Sequence, residues 1–298
     1  MTIRAAIKNV LYSVCPVLGK KCSSVWDAFA PVVRGKMGVR GITKYILRGV
    51  VLGGRFTYFG TEIYFPRAAA CFRLICKDGI YEPEVTAWLC QMARPNELFI
   101  DVGSNIGLTS IPVLRKVERS RVLSFEPSPN SLPYLQRTRR RSGFQDRWEV
   151  VPKAAAESTG TVRFFVTTPR YGILDGLRDT GRASDGHTIE VPRTTVDAEW
   201  QRLGCPAVCC MKIDVEGAEG RVLKGAEQMV RRERPHILLE WSDVNLIPNG
   251  TDLSFLVRYA ALNGYDVAEF PSRKPVSGLH DLERQTLDTQ MYVLVPVR

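Results

Sequence analysis

The run LFIDVGSNIG, residues 98–107, decides the fold of this 298-residue chain. An apolar stretch ends at an acid and a glycine turn, which is the pattern of a buried strand that leads into a helix. A second run of this kind, VCCMKIDVEG, follows at residues 208–217. Open α/β sheets bind their ligands at the carboxyl ends of strands, so we expect both runs to face one pocket.

Strand and helix patterns alternate along most of the chain. Aromatic residues within 55–66 predict a hairpin, and acids near Pro83 predict a helix through about Met92. The alternation predicts a mainly parallel sheet covered by helices on both faces. The further predicted elements are strand 98–101, helix 106–117, strand 121–126, helix 130–142, strand 149–155, strand 161–167, loop 168–187, strand 188–193, a helix start at Thr195-Val196-Asp197, strand 207–213, helix 217–231, strand 236–241, helix 252–263 and strands 265–270 and 290–296.

The net charge of +10 is concentrated at the N-terminus. Residues 1–55 contain ten Lys and Arg residues and one acid, Asp27, so the remaining chain is close to neutral. We therefore divide the chain into a basic N-terminal extension, residues 1–55, and a main domain, residues 56–298. Apolar residues from Ile3 to Val14 recur at helical spacing. They predict a helix packed on the domain or a segment in peripheral contact with an anionic membrane.

The cysteines and the hydropathy pattern predict a cytoplasmic protein. The eight cysteines form no Cys-x-x-Cys pair and are typical of buried, reduced thiols. Lys8 and Pro16 interrupt the apolar N-terminal stretch, which is unlike a secretion signal. A span of about 18 apolar residues, as a membrane-crossing helix needs, does not occur in the sequence. If the extension binds lipid, the protein is peripheral at the inner face of a membrane.

The turn that follows the strand at residues 98–101 indicates the charge of a ligand. It begins at Asp101 and has glycines at positions 103 and 107, which departs from the G-x-G-x-x-G turn of dinucleotide-binding enzymes. An acid is a poor neighbour for pyrophosphate and a good one for a cation. S-adenosylmethionine carries a sulfonium and an ammonium group, so the pattern favours it over a nicotinamide dinucleotide.

Two further strand ends carry charged side chains. Glu126 ends the strand 121–126, where an α/β fold holds the carboxylate that accepts ribose hydroxyls. Lys212, Asp214 and Glu216 alternate along the second run, so strand periodicity puts them on one face. Three charges on an apolar strand are costly to bury unpaired. They either pair with one another at the strand end or line a pocket.

In combination, these motifs resemble a known family. The runs DVGSNIG, SFEP, KIDVEGAE and ILLE, preceded by GIYEPE at residues 79–84, resemble FkbM-type S-adenosylmethionine-dependent methyltransferases over roughly residues 75–270. Ser104 stands where the family often has Ala, and residues 1–55 lie outside the resemblance. The resemblance implies a class I Rossmann-like fold with a mainly parallel, seven-stranded sheet. It also implies O-methylation of a hydroxyl on a sugar, a glycan or a secondary metabolite.

The resemblance further implies roles for individual residues. The methionine part of the cofactor would contact Asp101, Gly103, Asn105 and Gly107 of the turn, and its ribose would contact Glu126. Its adenine would lie in a slot formed by the small residues Ala154 and Ala155. The pocket would be covered by Tyr81 and Glu82. The residues that would face the substrate are Lys212, Asp214, Glu216 and Glu240.

Methyl transfer to a hydroxyl is helped by a base that takes its proton, and we expect this base to be Asp214 or Glu216. We expect the positive charge of Lys212 to adjust the two carboxylates electrostatically. The same two acids are the candidate ligands if the site holds Mg²⁺. The three histidines, His187, His236 and His280, lie at a strand start or in loops and are poorly placed for this role. We expect the loop 168–187 to shape the choice of acceptor, because long loops at strand ends usually carry specificity.

Two other functional classes stay open. A nucleic-acid methyltransferase would use the basic run at residues 137–141, but the domain is nearly neutral and the run suits the dipole at a helix end. An Asn-Pro-Pro-Tyr motif of base N-methylation is also absent from the sequence. A non-catalytic cofactor-binding scaffold would have little use for a cluster of buried acids. We therefore expect a small-molecule or glycan acceptor and no nucleic-acid partner.

Overall fold

The computed structural model describes residues 54–66, 69–183 and 185–297. The predictions for the N-terminal extension therefore lie almost wholly outside the described residues, and the division of the chain at residue 55 stays a prediction. The described part begins with the predicted hairpin, formed by β1 (Arg55–Tyr58) and β2 (Thr61–Tyr64). The backbone N–H of Tyr64 donates to Thr138 Oγ1 at 3.0 Å, so the hairpin packs on the main domain.

A seven-stranded sheet forms the centre of the molecule. Its strands in chain order are β3 (Leu98–Val102), β4 (Arg121–Phe125), β5 (Trp148–Val151), β9 (Val208–Ile213), β10 (His236–Glu240), β11 (Tyr265–Glu269) and β12 (Met291–Pro296). Across the sheet the order is β11-β12-β10-β9-β3-β4-β5, and only β12 runs antiparallel to its neighbours. The predicted mainly parallel, Rossmann-like sheet is confirmed.

A smaller sheet stands beside the central one. It contains β6 (Ala154–Ala155), β7 (Gly160–Thr167) and β8 (Gly186–Thr194), in the order β6-β8-β7. The prediction of one strand over 149–155 was wrong, because the chain leaves the central sheet at Pro152 and β6 pairs with β8. A 3-10 helix at Pro169–Leu174 lies within the segment predicted as a loop.

Ten α-helices are described. They are α1 (Ala70–Asp78), α2 (Pro83–Met92), α3 (Ser110–Lys116), α4 (Leu132–Ser142), α5 (Val196–Arg202), α6 (Glu219–Lys224), α7 (Glu227–Glu233), α8 (Asp243–Leu246), α9 (Phe255–Asn263) and α10 (Leu279–Gln285). The sequence did not predict α1, α8 or α10.

Two predicted helices have different bounds in the structure. The helix predicted over 217–231 is broken at Gly225, where a Cβ atom would lie 2.0 Å from the carbonyl oxygen of Ala156. The helix predicted from residue 106 begins only at Ser110, because Asn105 and Gly107 have positive φ angles of 49° and 90°. The chain therefore forms a wide turn before the helix, directly at the carboxyl end of β3.

Helices cover both faces of the central sheet. Along β10, Ile237 and Leu239 pack into one apolar cluster with α5, α6, α7 and α9, whereas Leu238 packs into a second cluster with α1, α2, α3 and α4. A strand that is buried on both faces needs an unbroken apolar sequence, which explains why these strands show no polar alternation. This packing holds the strand ends rigidly at one edge of the sheet.

The side chains of five cysteines are among those that the structure describes. Cys71, Cys209 and Cys210 are buried, Cys90 and Cys205 are half-buried, and all five are free. Among the helices of residues 54–66, 69–183 and 185–297, none has both the length and the apolar character needed to cross a membrane.

Candidate active site

A cavity of about 820 Å³, measured with its open mouth, lies at the carboxyl ends of β3, β4 and β9. The chain passes from β3 to β4 on one side and later returns to β9 on the other, so the strand order reverses at this point. In open α/β sheets such a reversal leaves a crevice above the strand ends, where ligands bind. Both runs that decided the fold contribute to the lining, as expected.

The glycines of the first turn are required by contacts within the protein. A Cβ atom on Gly103 would lie 1.8 Å from the carbonyl oxygen of Asp214, and one on Gly107 would lie 2.8 Å from the Trp148 ring. Both residues also have positive φ angles, of 81° and 90°. Packing within the protein therefore explains why both positions are glycine. Gly103 lines the cavity, whereas Gly107 lies outside its lining.

Asp101 lies beneath the turn and outside the cavity lining. Its side chain is fully buried, and its Oδ2 accepts hydrogen bonds from Thr109 Oγ1 at 2.7 Å and Ser110 Oγ at 2.5 Å. Burial raises the pKa of Asp101, while the positive charge of Lys212 and the two hydroxyl donors oppose this shift. Direct contact between Asp101 and a cofactor, as the resemblance implied, is therefore not supported by its position. The carboxylate instead supports the turn and faces Lys212.

Asn105 joins three parts of the site. Its side-chain Oδ1 accepts the backbone N–H of Ile106 at 3.0 Å, which stabilises its left-handed conformation. Its Nδ2 donates to the carbonyl oxygen of Gly172 at 3.4 Å, and its backbone N–H donates to Glu126 Oε2 at 2.7 Å. Asn105 lines the cavity.

Glu126 follows β4 and turns a buried carboxylate toward the cavity lining, where it is 5% exposed. One oxygen accepts from the backbone N–H of Asn105, and the other accepts from that of Ser128 at 2.8 Å. Burial raises the pKa of Glu126 to about 8, although both hydrogen bonds act in the opposite direction. Each oxygen keeps a second lone pair with which it can accept a hydroxyl donor.

Lys212 and Asp214 form a buried ion pair at the end of β9. Lys212 Nζ lies 2.9 Å from Asp214 Oδ2, and the lysine and aspartate side chains are 2% and 24% exposed. Burial by itself lowers the pKa of Lys212, but the carboxylates of Asp214, Asp101 and Glu82 outweigh burial and raise it. Both members of the pair line the cavity.

Glu216 does not continue the face of Lys212 and Asp214. The strand β9 ends at Ile213, and Glu216 has a φ of 58°, so strand periodicity no longer applies to it. The side chain still lines the cavity, and it forms an ion pair with Arg182. Strand periodicity does not reach Glu216, because β9 ends before it, but Lys212 pairs with Asp214 and all three side chains line the cavity, as the two alternatives had it.

Glu240 lies outside the cavity lining, at the end of β10. Its Oε2 accepts from Asn245 Nδ2 at 2.8 Å. Burial raises the pKa of Glu240 to about 8, and the nearby carboxylates of Asp214 and Glu219 add to the shift. The structure thus brings Glu240 near the other acids without exposing it to the cavity.

Tyr81 and Glu82 come from the segment that precedes α2. Tyr81 lines the cavity, whereas Glu82 is outside the lining and caps the start of α2 in a left-handed conformation with a φ of 41°. Burial raises the pKa of Tyr81 and that of Glu82. Lys212 opposes the shift of Glu82.

The apolar part of the cavity contains the predicted Ala154 and Ala155 together with residues that sequence reasoning missed. The additional apolar residues include Cys71, Leu108, Phe125, Phe164, Ile173 and Leu177. The two alanines, Phe164 and Leu177 are buried. None of the three histidines belongs to the lining, in agreement with the expectation that they are poorly placed.

The segment between β7 and β8 forms one wall of this cavity. Residues 168–183, which we name the strap, contribute Gly172, Ile173, Asp175 and Leu177 to the lining. The length of the predicted loop and its position after a strand were the available signals, but no local motif marked its pocket residues.

The profile of the methyltransferase FkbM domain matches residues 101–267, more than half of the chain. The chain belongs to the FkbM methyltransferase family. Methyltransferase sdnD of Sordaria araneosa is similar to it, with 26% identity over 160 residues. That match covers 45% of this chain and 61% of sdnD, so the chain spans about three fifths of this relative.

Solved structures of methyltransferases are also similar to this FkbM-family chain. Methyltransferase FkbM from Methylobacillus flagellatus KT is 17% identical, with a TM-score of 0.43 over 75% of this chain and 52% of that one. An O-methyltransferase from Bacillus cereus, solved in complex with SAH, is 12% identical, with a TM-score of 0.40 over 72% of this chain and 79% of that one. At such TM-scores the likeness carries no conclusion about substrate, and the fold assignment rests on the strand order.

The acids at this FkbM-family site were also candidate ligands for Mg²⁺. Carboxylate oxygens of Asp214, Glu216 and Glu240 lie within 4.8 Å of one another. Each carboxylate, however, already has a nitrogen partner, from Lys212, Arg182 and Asn245 respectively. Two of these partners are cations that repel a metal ion and neutralise the charge it would need. The set therefore does not fit Mg²⁺, and we derive no step through a metal.

Proposed function

We propose that this chain is an S-adenosylmethionine-dependent O-methyltransferase that acts on a hydroxyl of a sugar, a glycan or a secondary metabolite. The observation that carries the proposal is the buried Glu126 carboxylate at the end of β4, directly in the cavity lining. Its backbone donors fix both oxygens, and the remaining lone pairs suit the two hydroxyls of a ribose.

The charge of the cavity fits a cationic cofactor. With Glu126 mostly protonated below its pKa of about 8, the lining still contains the carboxylates of Asp175, Asp214 and Glu216 against the ammonium of Lys212. Even with Glu216 paired to Arg182, acids are in excess. A sulfonium and an ammonium group are attracted to such a site, whereas a pyrophosphate is repelled. The apolar wall around Ala154 and Ala155 suits an adenine ring.

When bound, S-adenosylmethionine supplies an electrophilic methyl group. The task of the protein is to hold the acceptor oxygen in line at contact distance and to take its proton. Asp214 suits the second role better than Glu216, since its side chain is 24% exposed against 10% for Glu216. Lys212 holds Asp214 Oδ2, and Oδ1 makes no hydrogen bond to the described residues.

The experiment that tests this function offers methyl-labelled S-adenosylmethionine and a panel of hydroxylated sugars, glycans and metabolites to the full chain. Label transferred to a hydroxyl oxygen supports the proposal. A separate arm contains transfer RNA, and label transferred there and to no small acceptor favours a nucleic-acid methyltransferase instead. Cofactor binding without transfer to any acceptor favours a non-catalytic scaffold.

A further inference from the structure

The first half of the strap is fixed to the body of the domain by several hydrogen bonds. Asp175 Oδ1 accepts from the backbone N–H of Thr167 at 2.7 Å and from its hydroxyl at 2.6 Å, and Asp175 Oδ2 accepts from Asn130 Nδ2 at 2.9 Å. The carbonyl oxygen of Gly172 accepts from Asn105. Residues 168–175 are therefore tied to the loops that follow β3 and β4.

The second half of the strap reaches the loop that follows β9. Gly176 packs closely on Glu216, since a Cβ atom on Gly176 would lie 3.0 Å from the Glu216 Cβ. Farther along, Arg182 forms its ion pair with Glu216. Gly176 also exchanges backbone hydrogen bonds with Phe165 of β7, at 2.7 and 3.1 Å, and the buried Leu177 packs in the apolar cluster of Phe164. After Leu177 the hydrogen bonds are local, from Gly181 N to Asp179 Oδ1 at 2.8 Å and from Arg182 Nε to Thr180 Oγ1 at 3.3 Å.

The first half of the strap and residues 178–183 thus differ in the number of contacts that must break before they can move. Release of the first half breaks the hydrogen bonds of the enclosed Asp175 carboxylate. Release of residues 178–183, with the buried Gly176 and Leu177 left in place, separates Arg182 from Glu216, and a guanidinium that is 31% exposed is readily hydrated when it leaves its partner. Segments held by few buried contacts open locally at much lower free energy than the fold as a whole.

We propose that residues 178–183 of the strap are a lid over the cavity, and that the Arg182–Glu216 ion pair holds this lid closed and breaks when it opens. The identity of the molecule that enters when the lid opens, a hydroxyl acceptor, rests on the proposed function, whereas the opening of the lid does not. Glu216 then serves closure and not proton transfer, which leaves Asp214 as the base. Closure of such lids excludes water from a reacting centre, and their opening commonly limits turnover.

Hydrogen exchange of the full chain, without any ligand, tests this lid. We expect the strap amides after Leu177 to exchange about tenfold faster in Arg182→Gln than in the unchanged protein, because the closing contact is lost. The matched control is Arg178→Gln, which makes the same charge change within the strap. The Arg178 guanidinium donates to the carbonyl oxygen of its own neighbour Leu177 at 3.4 Å and pairs with no carboxylate of the described residues, so we expect its exchange to stay unchanged.

A variant in which the two charges are swapped completes the test. The double variant Arg182→Glu, Glu216→Arg restores an ion pair of opposite direction, and we expect it to exchange more slowly than Arg182→Gln. Equal strap exchange in Arg182→Gln and the unchanged protein overturns the proposal, as does equal acceleration by Arg178→Gln. Because no cofactor is present, failure of the lid and failure of the proposed function are separately visible.

Discussion

The ammonium of Lys212 lies 2.9 Å from Asp214 Oδ2, and the Lys212 side chain is only 2% exposed. Removing an ammonium from water is costly, and this cost is met by the carboxylates of Asp214, Asp101 and Glu82 around it. One cation therefore contacts the end of β9 and attracts the charges of β3 and of the segment before α2. The site depends on this ion cluster for its shape as well as for its charge.

Replacement of Lys212 by Met tests the ion cluster. The variant leaves the buried carboxylate of Asp101 and the half-buried ones of Glu82 and Asp214 without their cation, and we expect it to lose about 3–5 kcal/mol of unfolding free energy. Urea denaturation measures this loss. The control is Lys153→Met, whose ammonium also pairs with a carboxylate, Glu199, at 3.0 Å but whose side chain is 41% exposed. We expect the control to lose about 1 kcal/mol or less, and equal losses in the two variants would show that the cluster is not structural.

Replacement of Asp214 by Asn tests the assignment of the base. The amide keeps the shape of the carboxylate but cannot accept the proton, so we expect methyl transfer to fall by about 10²–10⁴-fold in kcat while cofactor binding persists. Labelled transfer and calorimetry measure the two quantities. Asp252→Asn, at a fully exposed aspartate paired with Arg258, is the control and retains activity. Turnover by Asp214→Asn near that of the unchanged protein would remove Asp214 from this role.

Replacement of Gly103 by Ala tests the packing reason for the glycine turn. The new Cβ would overlap the carbonyl oxygen of Asp214, so we expect a loss of about 3 kcal/mol or more in thermal or urea unfolding. Gly143→Ala is a matched control, because its φ of 79° is close to the 81° of Gly103 but no atom lies within 4 Å of its Cβ. The control isolates the backbone strain, about 1–2 kcal/mol. Similar losses in both variants would contradict a packing role.

The pH dependence of nucleoside binding tests Glu126. With a pKa of about 8 in the free protein, Glu126 is mostly protonated at lower pH, and ribose hydroxyls donate best to its ionised form. Binding therefore lowers the pKa, and we expect affinity for 5′-methylthioadenosine to rise with pH up to about 8, by at most about tenfold per pH unit. This probe has no titrating amino group of its own.

The control for the pH profile is Glu126→Gln, which cannot ionise and also presents an amide N–H₂ to backbone donors. We expect this variant to bind the nucleoside weakly and without the pH dependence. A flat profile in the unchanged protein would show that Glu126 does not meet the ribose.

Much of the fold was predictable because its signals are local. The apolar runs of β3, β4, β9 and β10 are long and end in charged or glycine-containing turns. The N-cap at Thr195 was also visible in the sequence, and its side chain accepts the N–H of Ala198. Helix α10 was missed because its sequence, LHDLERQ, has few apolar residues to mark a buried face.

From residue patterns alone the site was predictable where a residue sits at a strand end, whereas Tyr81, Asn105, Ala154 and Ala155, which also line the cavity, were implied by the family resemblance. Glu126, Lys212 and Asp214 reach the cavity because parallel strands bring their carboxyl ends to one edge. The positions of Asp101 and Glu216 depend on backbone turns and tertiary partners, such as Thr109 and Arg182, that no spacing rule supplies. The contribution of the strap depends on how a long segment folds back over the sheet, which is a property of the whole molecule.

The most direct test of the central claim is calorimetric titration of S-adenosylmethionine into the folded full chain. The account predicts saturable binding of one cofactor per chain in the micromolar range, strongly weakened in Glu126→Gln. Absence of binding to a chain shown to be folded by its circular dichroism and cooperative unfolding would contradict the assignment of this cavity as a cofactor site.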